Sequence, residues 1–315
     1  MSRRRAPIDS ERVIYGLTAA IAWGTSAVFA TYAARRCGVF ATVMIGQVLG
    51  LILLLSMTVV LRPSFSAVHG SVLVGLIACG VVGLLGYLSF YRALEEGPVG
   101  LVSAIGATYG GVTAILAVLV LGESLGLIGG WGVVLAVAGV TLAAARAQSA
   151  GIPAIAADEP LVGVAVVPSG GATGYSSVGV SFAFASALAY GVGGFLLGDF
   201  AGRTGWLSAT LVARLASMVV LLGVLPFLGR QSSQHDLRSG FWWAVAAGAT
   251  DVVGICAFAR GGQVGQVAIT AAVSSVYPVI PVAAGLALFG ERLGPRQAVG
   301  IVLIVVGLVL LGLVS

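Results

Sequence analysis

The sequence contains no lysine, and charged residues of every kind fill only 9% of its 315 positions. A soluble domain carries roughly a quarter charged residues, so this chain cannot present a surface that faces water on all sides. Cysteine is scarce as well. Cys37, Cys79 and Cys256 stand apart, without CxxC or Cys/His spacing, which argues against a disulfide framework or a metal centre and for small buried hydrophobes. There is no Walker A loop, no HExxH pair and no nucleophile elbow, so ATP-driven pumping and hydrolysis have no basis in the sequence and no cofactor is implied. Because every basic residue is arginine, the net charge of +5 would point to nucleic acid in a soluble protein. Here the arginines are scattered singly near the ends of apolar runs, where they can snorkel to anionic headgroups, and we expect no nucleic-acid partner.

What the chain has instead is apolar length. Hydrophobic residues make up 59% of it, and mean hydropathy is +1.09. Runs of about 20 apolar residues, each able to cross a bilayer core of about 30 Å, recur almost throughout. Ten spans are predicted, at 13–34, 40–61, 70–91, 98–121, 126–146, 175–198, 206–228, 240–260, 265–289 and 296–314. The first is too long for a signal-peptide core and is followed by further spans, so we read it as a transmembrane helix. The fold class is therefore all-α, a polytopic membrane protein of ten transmembrane helices. Residues 147–174 carry three prolines and the acidic pair Asp158-Glu159, and read as a linker between two five-helix units, 1–146 and 175–315.

The two units are repeats. At an offset of 168, Arg92 falls on Arg260, Gly97 on Gly265, Tyr109 on Tyr277, Gly122-Glu123 on Gly290-Glu291 and Gly139 on Gly307. At an offset of 167, Ala22-Trp23-Gly24 falls on Ala189-Tyr190-Gly191. Five spans per unit is an odd number, so the second unit must cross the membrane in the opposite sense, and such inverted repeats are the mark of alternating-access carriers. Arg3, Arg4, Arg5 and Arg12 ahead of the first span outweigh Arg35 and Arg36 after it, which favours a cytoplasmic N-terminus.

The stretch "VYPVIPVAAGLALFGERLGPRQAVGIVLIVVGLVL", the "SFYRALEEGPVGLVSAI" turn and the Ala-Trp-Gly of the first span resemble the drug/metabolite transporter superfamily, in its EamA-type ten-helix branch. The resemblance covers both repeats and leaves out the linker. It implies a carrier with both termini cytoplasmic, a multi-pass place in the cell (inner) membrane, and a central cavity between the halves. It further implies secondary active transport of a small polar metabolite, an amino acid or related compound, with efflux favoured over uptake and a proton as the candidate coupling ion. An uptake carrier for a quaternary amine or other organic cation is the alternative within transport; a passive channel or membrane scaffold is the alternative outside it. The sequence departs from the family pattern at Gln47, which stands where Arg214 stands in the second half, and at Gly110-Gly111, where proline is usual.

Within the spans a few residues invite chemistry. Pro278 and Pro281 each remove a helical hydrogen bond from the ninth span, and Gly110-Gly111 sits at the matching place of the fourth. Backbone groups freed at membrane depth are tolerated beside protein or a wet cavity, so paired interruptions point to a binding site. Glu123 and Glu291 end those spans; a proton or cation site is one reading, but we take them as turn residues accepting the free N–H groups of the next helix. Asp251 is set near the middle of the eighth span, where an aspartate costs about 2.5–3.5 kcal/mol to insert. Arg214 lies inside the seventh. Counted at 1.5 Å per residue from the same face, the two sit at depths of about 12 and 14 Å, so an ion pair is possible, and so is direct contact of Asp251 with a substrate or proton. Trp23, Tyr190, Tyr109 and Tyr277 form two repeat-matched aromatic pairs, and Tyr87 and Tyr91 add rings in the third span. The candidate substrate site is Trp23, Tyr87, Tyr109, Tyr190, Tyr277, Asp251, Arg214 and Gln47.

Overall fold

The computed structural model describes residues 8–122, scattered residues between 127 and 142, and residues 177–228, 237–265, 267–291 and 294–312. The predicted linker, Glu123 and most of the predicted fifth span lie outside the described residues. Helices in chain order are α1 (Ile8–Cys37), α2 (Val39–Leu61), α3 (Gly70–Glu96), α4 (Val99–Gly106), α5 (Tyr109–Leu121), α6 (Ser177–Thr204), α7 (Trp206–Leu228), α8 (Leu237–Val264), α9 (Val267–Ser274), α10 (Val279–Leu288) and α11 (Pro295–Gly312). There is no strand among the described residues. Among the described residues eight segments are long and apolar enough to cross a membrane, with α4–α5 and α9–α10 each counting as one interrupted span, and Ala298–Gly307 in α11 is a shorter apolar helix.

Several helices outrun their predicted ends because charged pairs lengthen them. Past residue 91, α3 continues through Arg92, which bonds Glu95 at 2.7 Å and also pairs with Glu96. Past residue 198, α6 continues through Asp199 and Arg203, paired at 2.7 Å. The molecule is apolar outside, with Val60 78% and Trp242 74% exposed, and packed inside with alanine, glycine and a few polar side chains. That arrangement suits lipid, where small residues let helices approach closely and hydrophobicity gives no drive between them.

The repeat is visible in the backbone. Gly38 (φ 83°) and Gly205 (φ 90°) make one-residue turns after α1 and α6, and Gly122 (φ 69°) and Gly290 (φ 63°) close the interrupted spans. Each pair keeps the sequence offset, and the left-handed φ explains why glycine stands at all four. Contacts exchange the halves in the same way: α1 packs on α8 as α6 packs on α3, and α2 meets α7. The interrupted spans run antiparallel, α4 against α10 and α5 against α9. Successive spans alternate, so the turns at 37–39, 96–99 and 288–295 share one face of the molecule, and those at 61–70, 204–206 and 264–267 share the other.

Candidate functional site

A cavity of about 130 Å³ lies between the halves, and all eight residues of the candidate substrate site line it: Trp23, Gln47, Tyr87, Tyr109, Tyr190, Arg214, Asp251 and Tyr277. Close helix packing brings them there. A Cβ at Gly86 would lie 2.6 Å from the Tyr190 ring, and one at Gly254 would lie 2.6 Å from the Trp23 ring. Glycine at both matched positions lets α6 approach α3, and α1 approach α8, so that the rings turn inward.

The aromatic frame keeps the repeat. Trp23 meets Phe258 at 5.5 Å with the rings tilted, and at the matched places Tyr190 meets Phe90 at 6.0 Å. Tyr109 and Tyr277, each the other's counterpart, sit 6.4 Å apart. The Tyr277 hydroxyl donates to the Ser103 carbonyl at 3.0 Å. The Tyr109 hydroxyl bonds Ser274 Oγ at 2.6 Å, which donates to the Ala271 carbonyl at 3.1 Å. Ala271 is the counterpart of Ser103, so one half makes directly the tie that the other makes through a serine.

These ties fall where the spans are interrupted, and the interruptions are not quite where the sequence put them. In the fourth span the break is at 107–108, and Gly110-Gly111 already belong to α5. Gly110 serves close packing instead, since a side chain there would collide with Ser275, whereas a Cβ at Gly111 would meet nothing. In the ninth span the break covers 275–278. Pro278 caps α10 and Pro281 lies in its first turn, where a missing N–H is not needed. Pro281 therefore does not break the helix. Between Ser274 and Val279 the backbone tightens to i→i+3 bonds, Val276 N–H to Val273 O at 3.3 Å and Tyr277 N–H to Ser274 O at 3.2 Å.

At the opposite end of the cavity axis is the charge. Arg214 and Asp251 pair at 3.0 Å with side chains 3% and 7% exposed. The Tyr87 hydroxyl lies 2.7 and 2.8 Å from the two Asp251 oxygens, and its ring stands 5.7 Å from the Arg214 guanidinium carbon. The other Arg214 amino group donates to Gln47 Oε1 at 2.8 Å, and Ser217 Oγ joins the same oxygen at 3.2 Å. Gln47 and Arg214 are repeat counterparts in direct contact, as are the facing rings of Tyr109 and Tyr277. A two-fold relation between the halves would pass between the members of each pair, with the cavity in between. Thr210, Ser26 and Tyr91 also line the cavity. Of the lining residues outside the expected set, Phe90 and Phe258 were readable from the 168 offset, whereas Ser26 carries no sequence signal.

Glu291 lies away from the cavity. Its carboxylate accepts the N–H groups of Val99 and of Gly100, the latter at 3.0 Å, at the start of α4. It thus caps a helix of the other half, not the helix that follows it. Burial pushes its carboxyl above the ordinary value, opposed by the Gly100 and Val99 N–H groups and by Arg35. Among the described residues no cluster of His, Cys, Asp and Glu could hold a metal ion.

A family model described as the EamA-like transporter family matches residues 12–145 and 177–313. A solved structure titled only "Crystal structure of protein" superposes on 96% of this chain and 98% of its own with a TM-score of 0.65 at 18% identity, a likeness of fold. No curated protein matches the chain.

Proposed function

The chain belongs to the EamA-like transporter family, and on that premise we propose that it is a secondary active carrier working by alternating access, with the cavity between α1, α3, α6, α7 and α8 as its substrate site. The family is one of membrane transporters and not of enzymes. What carries the proposal is the cavity itself, framed by repeat-matched rings and closed at one end by a buried Arg214–Asp251 pair. The pair is internally neutral, and Tyr87 and Gln47 add hydrogen bonds to its two members. A substrate of net charge would enter without a counter-charge, which is costly away from bulk water. A small neutral or zwitterionic molecule, such as an amino acid, can exchange hydrogen bonds with both members of the pair while its apolar part lies against the rings. This argues against a quaternary amine, whose charge needs a free carboxylate. At about 130 Å³ the cavity is also well below the roughly 300–1,000 Å³ of clefts that take drug-sized ligands.

We place the carrier in the inner membrane with both termini cytoplasmic, and propose export as the direction. The test is reconstitution in liposomes, with amino acids and related compounds screened first for a thermal shift and then for counterflow. Saturable counterflow of a small zwitterion is the expected result. Flux that never saturates would make the protein a channel, and preference for a quaternary amine would overturn the substrate class.

A further inference from the structure

Two helices of the cavity wall carry the same spaced triplet except at its centre. On α3 it is Gly80, Gly83 and Gly86, and at the offset of 168 α8 has Gly248, Asp251 and Gly254. The outer positions do the same work in both halves. A Cβ at Gly80 would collide with the Ala213 carbonyl of α7. One at Gly248 would lie 2.8 Å from Gly46 Cα of α2, and Gly46 is the counterpart of Ala213. Gly86 and Gly254 admit the Tyr190 and Trp23 rings in the same matched way.

The centre differs. Asp251 fills its place with a carboxylate, whereas a Cβ at Gly83 would meet nothing within 4 Å, although Gly83 lines the cavity. Among the described residues four glycines line it: Gly80, Gly83, Gly193 and Gly194. Gly80 is required by Ala213, and a Cβ at Gly194 would press on Thr113 and Phe258 at 3.2 and 3.4 Å. A Cβ at Gly193 would rest 3.7 Å from Gly83 N, an ordinary contact, so Gly193 faces the same space from α6. Glycine weakens a helix at mid-length, and at the middle of α3 no packing contact demands it. What glycine provides at 83 is room inside the cavity.

That room adjoins the ion pair. Gly83 and Tyr87 lie four residues apart on one face of α3, about 6 Å along its axis. The Tyr87 hydroxyl bonds Asp251. One turn the other way is Cys79, whose thiol donates to the Gly193 carbonyl at 3.4 Å. That bond occupies a backbone acceptor of α6, so the surface between Cys79 and Gly193 suits an apolar group.

We propose that Gly83 is a specificity-determining residue. An amino acid that exchanges hydrogen bonds with Arg214 and Asp251 lays its apolar side chain along α3 in the space left at Gly83. Position 83 then sets the largest side chain carried. This rests on the carrier reading above and narrows its substrate class to amino acids with apolar side chains of more than one carbon.

The experiment measures counterflow of alanine, valine, leucine and norleucine by the full chain in liposomes, for the parent and for Gly83→Ala and Gly83→Val. One methylene in an apolar pocket is worth about 10–200-fold in selectivity, so Gly83→Ala should raise KM for leucine relative to alanine by about tenfold. Gly83→Val should raise it further. Gly193→Ala, which fills the same space from α6, moves the ratio in the same direction and keeps the test usable where Gly83→Val does not fold. Gly223→Ala on α7 is the control: its Cβ also meets nothing within 4 Å, it does not line the cavity, and the ratio should stay where it was. An unchanged ratio in the folded Gly83 variants overturns the assignment, and saturable counterflow in the parent then leaves the carrier reading standing. A melting temperature of Gly83→Ala well below that of Gly223→Ala overturns the open space itself. A parent without saturable counterflow of any of the four sinks the carrier reading, and the assignment with it.

Discussion

Gln47 and Arg214 occupy matching places on α2 and α7, as do Gly83 and Asp251 on α3 and α8, yet only the second half puts charge into the cavity. The aromatic frame is shared by both halves: Trp23 with Phe258 answers Tyr190 with Phe90, and Gly254 answers Gly86. The duplicated residues are those that let helices approach and rings face inward. The residues that differ are those that would tell one solute from another. On the proposed carrier reading, a repeated skeleton would supply two equivalent ways of rocking one half on the other, while a chemically one-sided cavity would supply a single orientation for the substrate.

The comparison breaks most sharply at the charge. Asp251→Asn leaves Arg214 buried without its counter-ion and should cost about 3–5 kcal/mol, read as a lowered melting temperature in detergent. Arg214→Gln combined with Asp251→Asn should restore most of it, because the second half then resembles the first. Full stability in both single variants would remove the pair from the account.

Next in size is the shared skeleton. Gly86→Ala and Gly254→Ala each drive a methyl group into a ring and should cost about 1–3 kcal/mol. The two losses should be of like size, and a loss at only one position would show that the helix approaches are not equivalent. The tyrosine ties come third. Tyr277→Phe and Tyr109→Phe each remove one hydrogen bond, worth about 0.5–1.5 kcal/mol. The two losses should be of like size, because Ser274 keeps its bond to Ala271 when Tyr109 is changed and the Ser103 carbonyl keeps its bond from Ala107 N–H when Tyr277 is changed. Pro281→Ala is the smallest. In the first turn of α10 its ring costs nothing and its missing N–H is not required, so stability should move by less than about 0.5 kcal/mol.

Much of this was legible before any coordinates. Spans and repeat follow from apolar length and from two constant offsets, the family follows from its resemblance in the quoted motifs, and the eight residues of the candidate substrate site all line one cavity. Depth counting along α7 and α8 brought Arg214 and Asp251 level because helical rise is constant. What escaped was whatever depends on contact between distant segments. Pro281 looks like a breaker in one dimension, but whether a proline breaks a helix depends on where the helix starts. Glu291 was assigned to the helix that follows it, since sequence ranks neighbours by separation; its partner is α4 of the other half.

The central claim is that the cavity pair handles the substrate and does not merely lock two helices. The direct measurement is counterflow by the Arg214→Gln, Asp251→Asn double variant in liposomes, once its melting temperature shows that it is folded. The account predicts a stable protein that has lost saturable exchange of its small zwitterionic solute. Exchange at the rate of the unmodified protein would reduce the pair to a structural lock and contradict it.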